Sequence, residues 1–321
     1  MNLLNFTQMS FTLLNKGRNG THACECRYDI LSFYKTHHKT RGRRMTQYHI
    51  QQFIIQALQE DLGRGDFYAL IAQDREAKAY VLAKEEGVFS GFVYLEALAK
   101  HFDIKILESH KDGECFKKGT KLCVLSGSHI ALLQMERVLL NILAHSSGIA
   151  TLTYAYSSKI SNPPVKLLDT RKTRPLLREL EKYSVVNGGG SNHRFGLDSM
   201  LMLKDTHLAH ITDLRGIIST AREKLPFMCA IEVECENLES AINAMEAGAD
   251  VVMCDNMSID EIKKVVAYRN EYAKHTKLEA SGNINLENIV EYAQSGVDAI
   301  SVGSLIHQAK WLDLSLKIHP C

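Results

Sequence analysis

Two stretches of the sequence, 48 residues apart, share one pattern. Residues Asn237–Ala247 carry Leu238, Ala241, Ile242 and Met245 at i, i+3, i+4 and i+7, stop at Gly248, and pass through Ala249 and Asp250 into an apolar run. Residues Asn285–Ser295 carry Leu286, Ile289, Val290 and Ala293, stop at Gly296, and pass through Val297 and Asp298 into another. That spacing puts apolar side chains on one face of a helix. A glycine after the last turn ends a helix in the left-handed conformation. The runs are continuously apolar, as in parallel strands covered on both faces. Strands are expected at Val165–Asp169, Met200–Lys204, Ala230–Glu234, Val251–Asp255, Leu278–Ser281 and Ala299–Gly303. Alternating strand and helix makes this an α/β fold, and six or seven units over residues 149–307 suit an incomplete TIM-like barrel.

Upstream the pattern differs. Ile50, Phe53, Ile54, Ala57 and Leu58 recur at helical spacing just after Met45. From Ala77 short alternating runs are broken by Lys111-Asp112-Gly113 and Lys118-Gly119-Thr120, which read as turns between strands. Helices are expected over Phe92–Phe102 and Ile130–Ala144. Residues 1–44 lack periodicity and hold eight Lys/Arg against two acids. They read as a disordered basic extension.

Net charge is +1 over 321 residues, which carries no signature of nucleic-acid or membrane binding. No apolar run approaches the ~18 residues of a membrane span. Asn5, Thr7, Gln8 and Ser10 break the first apolar stretch, so it makes a poor signal peptide, and the sequons at Asn5 and Asn19 then have no use. The eight cysteines form no CxxC pair, and His22, Cys24, Cys26, His37 and His38 match no zinc template. A reducing cytoplasm is expected.

Barrel chemistry sits at the C-terminal strand ends. Here those ends are Asp169–Arg174, Asn187–Arg194, Lys204–His207, Glu232–Glu234, Asp255-Asn256, Ser281–Asn283 and Gly303-Ser304. Arg171, Lys172, His193, Arg194 and Lys204 would repel one another on one rim unless an anion sat among them. Glu234 and Asp255, on adjacent strands, suit Mg2+ on a polyphosphate or the hydroxyls of a ribose. Ser281, Gly282 and Asn283, then Gly303, Ser304 and His307, read as turns leading into helices whose backbone N–H groups would cradle phosphate. Together these features imply an enzyme acting on a phosphorylated, multiply anionic substrate.

The strings Asp169–Thr173, Gly188–Arg194, Lys204-Asp205, Ile231–Glu234, Cys254–Asn256, Glu279–Asn283 and Ser301–Ser304 with His307 resemble quinolinate phosphoribosyltransferase. So do Glu60–Asp66, Glu136-Arg137 with Asn141, and Ser147–Thr151. The resemblance runs from Met45 to near the end of the chain. It implies an α/β sandwich domain over residues 45–148, rejoined by residues 308–321, beside the incomplete α/β barrel of 149–307. It also implies a cytoplasmic homodimer or larger homo-oligomer in which Arg137 reaches into the neighbour's active site. Arg137, Arg171, Lys172, His193, Arg194 and Lys204 would bind quinolinate. Glu234 and Asp255 would serve ribose and Mg2+-pyrophosphate, while Ser281, Gly282, Asn283, Gly303, Ser304 and His307 would hold phosphate. The reaction implied joins quinolinate to phosphoribosyl pyrophosphate, with Mg2+, and releases CO2 and pyrophosphate. Neither nucleic acid nor membrane enters it.

The sequence departs from the family at Asp66-Phe67-Tyr68, at Arg174-Pro175-Leu176 and at Thr206; Arg174 adds a cation near the pocket. A Schiff-base aldolase using Lys172 or Lys204 is the rival enzyme reading, but an arginine-rich pocket suits it poorly. A non-catalytic barrel would have lost Glu234, Asp255 or the cations. A nicotinate-specific relative would need fewer of those cations.

Overall fold

The computed structural model describes residues 47–160 and 165–320. The 1–44 extension, with its histidines, cysteines and sequons, lies outside the described residues.

The first half is built on an antiparallel sheet. Helix α1 (Gln47–Leu62) buries Ile50, Ile54 and Leu58, one every four residues. Strand β1 (Glu76–Ala83) turns Ala77, Ala79, Val81 and Ala83 inward, and these small side chains let the covering helices approach. Next come β2 (Gly87–Val88), α2 (Phe92–His101), β3 (Lys105–Ser109), β4 (Cys115–Phe116), β5 (Lys121–Ser128) and α3 (His129–Ser157). Strands β2 and β4 form their own short pair. The apolar faces of α1, α2 and α3 share a core with the sheet, including Ile54, Leu95, Leu98, Leu125 and Leu139.

Helix α3 runs 29 residues, well past the expected end at Ala144. By length and composition it could cross a membrane, but 72% of the relevant window is buried inside the fold. Ser146, Ser147 and Gly148 resemble helix breakers in sequence, yet each has a packing reason. The Ser146 hydroxyl bonds those of Ser90 and Ser184, both at 2.7 Å, and the Ser147 hydroxyl donates to the Ser90 carbonyl. Gly148 lies under the Lys310 backbone, where a Cβ would collide with the carbonyl. Helix propensity alone has Gly148→Ala stabilising by about 1 kcal/mol. Overpacking reverses the sign here, and denaturant unfolding should show a loss on the order of 1–3 kcal/mol.

The second half holds β6 (Lys166–Leu168), α4 (Arg178–Asn187), β7 (Leu201–Leu203), α5 (Asp205–Leu208), α6 (Leu214–Lys224), β8 (Ile231–Cys235), α7 (Leu238–Ala247) and β9 (Val251–Asp255). It continues through α8 (Ile259–Tyr272), β10 (Lys277–Ser281), α9 (Ile289–Gln294), β11 (Ala299–Ser301) and α10 (Ser304–His307). The six strands form one sheet in the order β6-β11-β10-β9-β8-β7, every pairing parallel. A parallel bridge between Leu168 and Ser191 adds a single rung on the free edge of β6. The architecture is an incomplete α/β barrel. Val233, Cys235, Val252, Cys254, Leu278, Ala280 and Ile300 pack outward under the helices. Alternation therefore sends Glu232, Glu234, Asp255, Glu279 and Ser281 to the inner face. Burial pushes the Cys235 and Cys254 thiols up to about 12, so they serve as small core groups.

The chain finally returns to the first half. Strand β12 (Leu314–Pro320) pairs antiparallel with β1, from Ala77 with Pro320 to Ala83 with Leu314, and completes the sheet order β12-β1-β5-β3.

Candidate active site

The functional side chains come from the C-terminal ends of the barrel strands and from the loop after α4. At their base is a buried pair. Lys182 donates to Asp169, and both side chains are fully buried. Asp169 also accepts from the Asn192 amide at 2.6 Å and the His193 backbone N–H at 2.9 Å. Burial raises the Asp169 carboxyl and lowers the Lys182 amine, in each case against the pull of its partner. The pair thus fixes the loop through 191–194 against the end of β6.

Arg171 and Arg194 lie near enough for their charges to act on each other. Burial and then the charge of Arg171 lower the Arg194 pKa, while Glu232 and Glu234 act against them. The Arg171 Nε is buried without a protein partner. A buried charged donor left unmatched is costly, a cost that a bound anion would relieve. Lys204 lies at the same rim, bonded to Glu234 at 2.7 Å. Lys172 extends across Gly303, where a Cβ would sit 3.0 Å from the lysine Cδ and 3.6 Å from His307 Nε2. Gly303, Lys172 and His307 therefore share one corner of the mouth. Tyr156 reaches the Ser304 hydroxyl at 3.4 Å.

The acidic end is tied together by amides. Asn256 donates to Asp255 Oδ2 at 2.7 Å and accepts from the Asn283 amide at 2.9 Å. Asn256, Gly282 and Asn283 all have positive φ, and a Cβ on Gly282 would strike the Asn256 side chain. Ser281–Asn283 do not lead directly into a helix as expected. Helix α9 begins at Ile289, because the Asn285 side chain accepts from the Glu287 and Asn288 N–H groups and makes a turn first. The cradle at Ser281, Gly282 and Asn283 is thus a left-handed turn rather than a helix N-terminus.

Two residues are placed differently from the rest of the predicted set. Arg137, on α3, lines a groove of about 620 Å3 with His49, Glu60, Asn141 and Trp311, and none of the barrel-mouth cations lines that groove. His193 turns inward. Its Nδ1 accepts the Arg194 backbone N–H at 2.7 Å, and its Nε2 lies 3.2 Å from Glu232 and 3.4 Å from Glu279. Glu232 is on β8 and Glu279 on β10, so the sheet curls enough to bring both to a ring on the loop beside β6. Burial disfavours a charged ring, but the hydrogen bonds to Glu232 and Glu279 outweigh it and push His193 up to about 10.

The oxygens of Glu234 and Asp255, on neighbouring strands, are hard donors suited to Mg2+. Lys204 already engages one Glu234 oxygen, so a cation here would need further ligands from a substrate phosphate.

Two family models match, the quinolinate phosphoribosyl transferase N-terminal domain over residues 66–147 and the C-terminal domain over 149–317. The chain belongs to the quinolinate phosphoribosyltransferase family. Among relatives of this family, the nicotinate-nucleotide pyrophosphorylase (carboxylating) of Dictyostelium discoideum is 34% identical over 291 residues, 85% of this chain and 97% of that protein. The chloroplastic enzyme of that name from Arabidopsis thaliana is 37% identical over 84% of this chain and 83% of its own. The solved nicotinate-nucleotide pyrophosphorylase of Francisella tularensis superposes with a TM-score of 0.81 at 33% identity, covering 88% of this chain and all of that one.

Two departures from the quinolinate phosphoribosyltransferase family pattern can be placed by their surroundings. Arg174 donates to the buried Glu181 at 2.7 Å, and Glu181 also bonds His145 at 2.9 Å. Thr206 is exposed on α5. Sequence reading assigned no role to Glu232, Glu279, Asp169 or Lys182. Strand parity was the available signal, since Glu232 stands two positions before Glu234 and Glu279 two before Ser281.

Proposed function

We propose that the protein transfers the phosphoribosyl group of phosphoribosyl pyrophosphate to the nitrogen of quinolinate and yields nicotinate mononucleotide, pyrophosphate and CO2. The observation that carries this reading is the buried, unpartnered Arg171 Nε beside Arg194 at the barrel mouth. Two guanidinium groups near enough to repel each other suit a pair of carboxylates on a small planar ring.

Arg171 and Arg194 bind those carboxylates and align the ring nitrogen with the ribose C1, so much of the rate gain is positional. Lys172 and Lys204 add charge around the anions, and His193 belongs to the same quinolinate pocket. Asp255, oriented by Asn256, and Glu234 face the ribose and the departing pyrophosphate. Ser281, Gly282, Asn283, Gly303, Ser304 and His307 anchor phosphate. Mg2+ bound with pyrophosphate, held by Glu234 and Asp255 directly or through water, would neutralise the leaving group. Once the ring nitrogen is quaternised, its positive charge stabilises the carbanion left on the adjacent ring carbon as CO2 departs, and that carbon then takes a proton from water. The enzyme works as a cytoplasmic homodimer or larger homo-oligomer, with Arg137 entering the neighbouring copy's pocket.

The test is an assay of the purified protein with quinolinate, phosphoribosyl pyrophosphate and Mg2+, following product absorbance and CO2. Stoichiometric CO2 and nucleotide are expected. Nucleotide formed from nicotinate without CO2, and none from quinolinate, would refute the reading.

A further inference from the structure

Arg178 has no part in the mechanism above, yet it touches both loops that carry the arginines. It opens helix α4 and is half-buried. Its Nε donates to the Thr173 hydroxyl at 3.1 Å, and its Nη1 donates to the Phe195 carbonyl at 3.0 Å. Thr173 lies two residues beyond Arg171 on the loop after β6, and Phe195 one residue beyond Arg194 on the loop after α4. One planar group with its donors in a fixed fork therefore spans the two loops. The Thr173 N–H also donates to the Arg171 carbonyl at 2.8 Å, so a shift of Thr173 carries Arg171 with it. The Lys182–Asp169 pair holds the second loop at Asn192 and His193, before Arg194, and Arg178 holds it just after. Charge alone does not favour this placement. Arg178 and Arg171 both weigh against the charge of the buried Lys182. What Arg178 contributes is thus its pair of directed hydrogen bonds, which are the stronger for coming from a charged donor.

We propose that Arg178 is a positioning residue that staples the loop after β6 to the loop after α4 and so sets the spacing between Arg171 and Arg194. It acts through Thr173 and Phe195, and the spacing it fixes is what fits the pocket to two carboxylates on one ring. The inference rests on reading Arg171 and Arg194 as the carboxylate pocket.

Kinetics of Arg178→Met, Thr173→Val and the double variant test it. Methionine keeps an apolar stem and removes both donors. A misplacement of about 1 Å can cost about 10^2-fold in rate, so kcat/KM for quinolinate should fall roughly 10- to 10^2-fold. Much of that fall should be a higher KM for quinolinate, while the KM for phosphoribosyl pyrophosphate changes less than about twofold. Lys172, which faces the Gly303 corner, has a tie of its own, its N–H donating to the Thr170 hydroxyl at 3.0 Å. Thr173→Val cuts one arm of the staple and should raise the same KM roughly threefold. Groups that act as a unit are not additive, so the double variant should be no worse than Arg178→Met within about twofold. Additive losses would mean that Arg178 acts other than through Thr173 and would overturn the staple, as would equal changes in both KM values. If Arg178→Met does not fold, Thr173→Val decides, and an unchanged KM for quinolinate there sinks the proposal. Arg171→Ala separates the two levels. No effect of Arg171→Ala on quinolinate use refutes the pocket and the staple with it, whereas a large effect beside a silent Arg178→Met refutes the staple alone.

Discussion

Arg171→Ala should cut kcat/KM for quinolinate by roughly 10^2- to 10^4-fold, because two charged hydrogen bonds at about 1.5–3 kcal/mol each are lost and each 1.4 kcal/mol is about tenfold. The protein gives Arg171 Nε no partner of its own, so little of its binding capacity is spent internally. Relief from Arg194, which it repels, means that the alanine variant should unfold at the same temperature as wild type or slightly above. Arg171→Lys restores charge without the planar fork and should recover a minor part of the loss. Steady-state kinetics with quinolinate varied at saturating phosphoribosyl pyrophosphate, alongside thermal unfolding, measure both effects. Activity within about threefold of wild type would remove Arg171 from the pocket.

The largest effect on stability should come from Lys182→Met. Breaking a buried pair strands the remaining charge at a cost of about 3–5 kcal/mol. Here the stranded group is Asp169, left with the Asn192 amide and the His193 N–H. Burial already works against both charges in the intact pair. Removing the second charge should therefore give back part of the loss. Lys182→Met with Asp169→Asn should be more stable than Lys182→Met alone, since asparagine still accepts from the His193 N–H. Urea unfolding of the two variants provides the comparison. A single-variant loss below about 1 kcal/mol would show that the pair is not the support of the 191–194 loop.

The repeat of helix, glycine, aspartate and strand was legible because helix termination and strand burial each leave a local mark. Strand β9 spans the same residues, Val251–Asp255, in sequence and in structure. The run of α3 through Ser146–Gly148 was not legible, since the reason for small residues there is contact with Ser90 and Lys310 from distant parts of the chain. The start of α9 was misplaced because Asn285 and Asn288 spend their side chains on a turn. At the site, residue types at strand ends pointed to the cations and to Glu234 and Asp255. Sequence could not say that His193 turns its ring inward, because that depends on how far the sheet curls. Nor could it separate Arg174, tied to Glu181, from cations facing the mouth.

The pairing of β12 with β1 has a consequence for biosynthesis. Residues 77–83 are translated long before 314–320, their hydrogen-bonding neighbours on one side. While the ribosome makes the barrel, β1 offers a bare edge to any extended segment nearby, and such edges invite mispairing. Only a strand made after the whole barrel closes it, so the half of the molecule begun first waits on the other half for its edge.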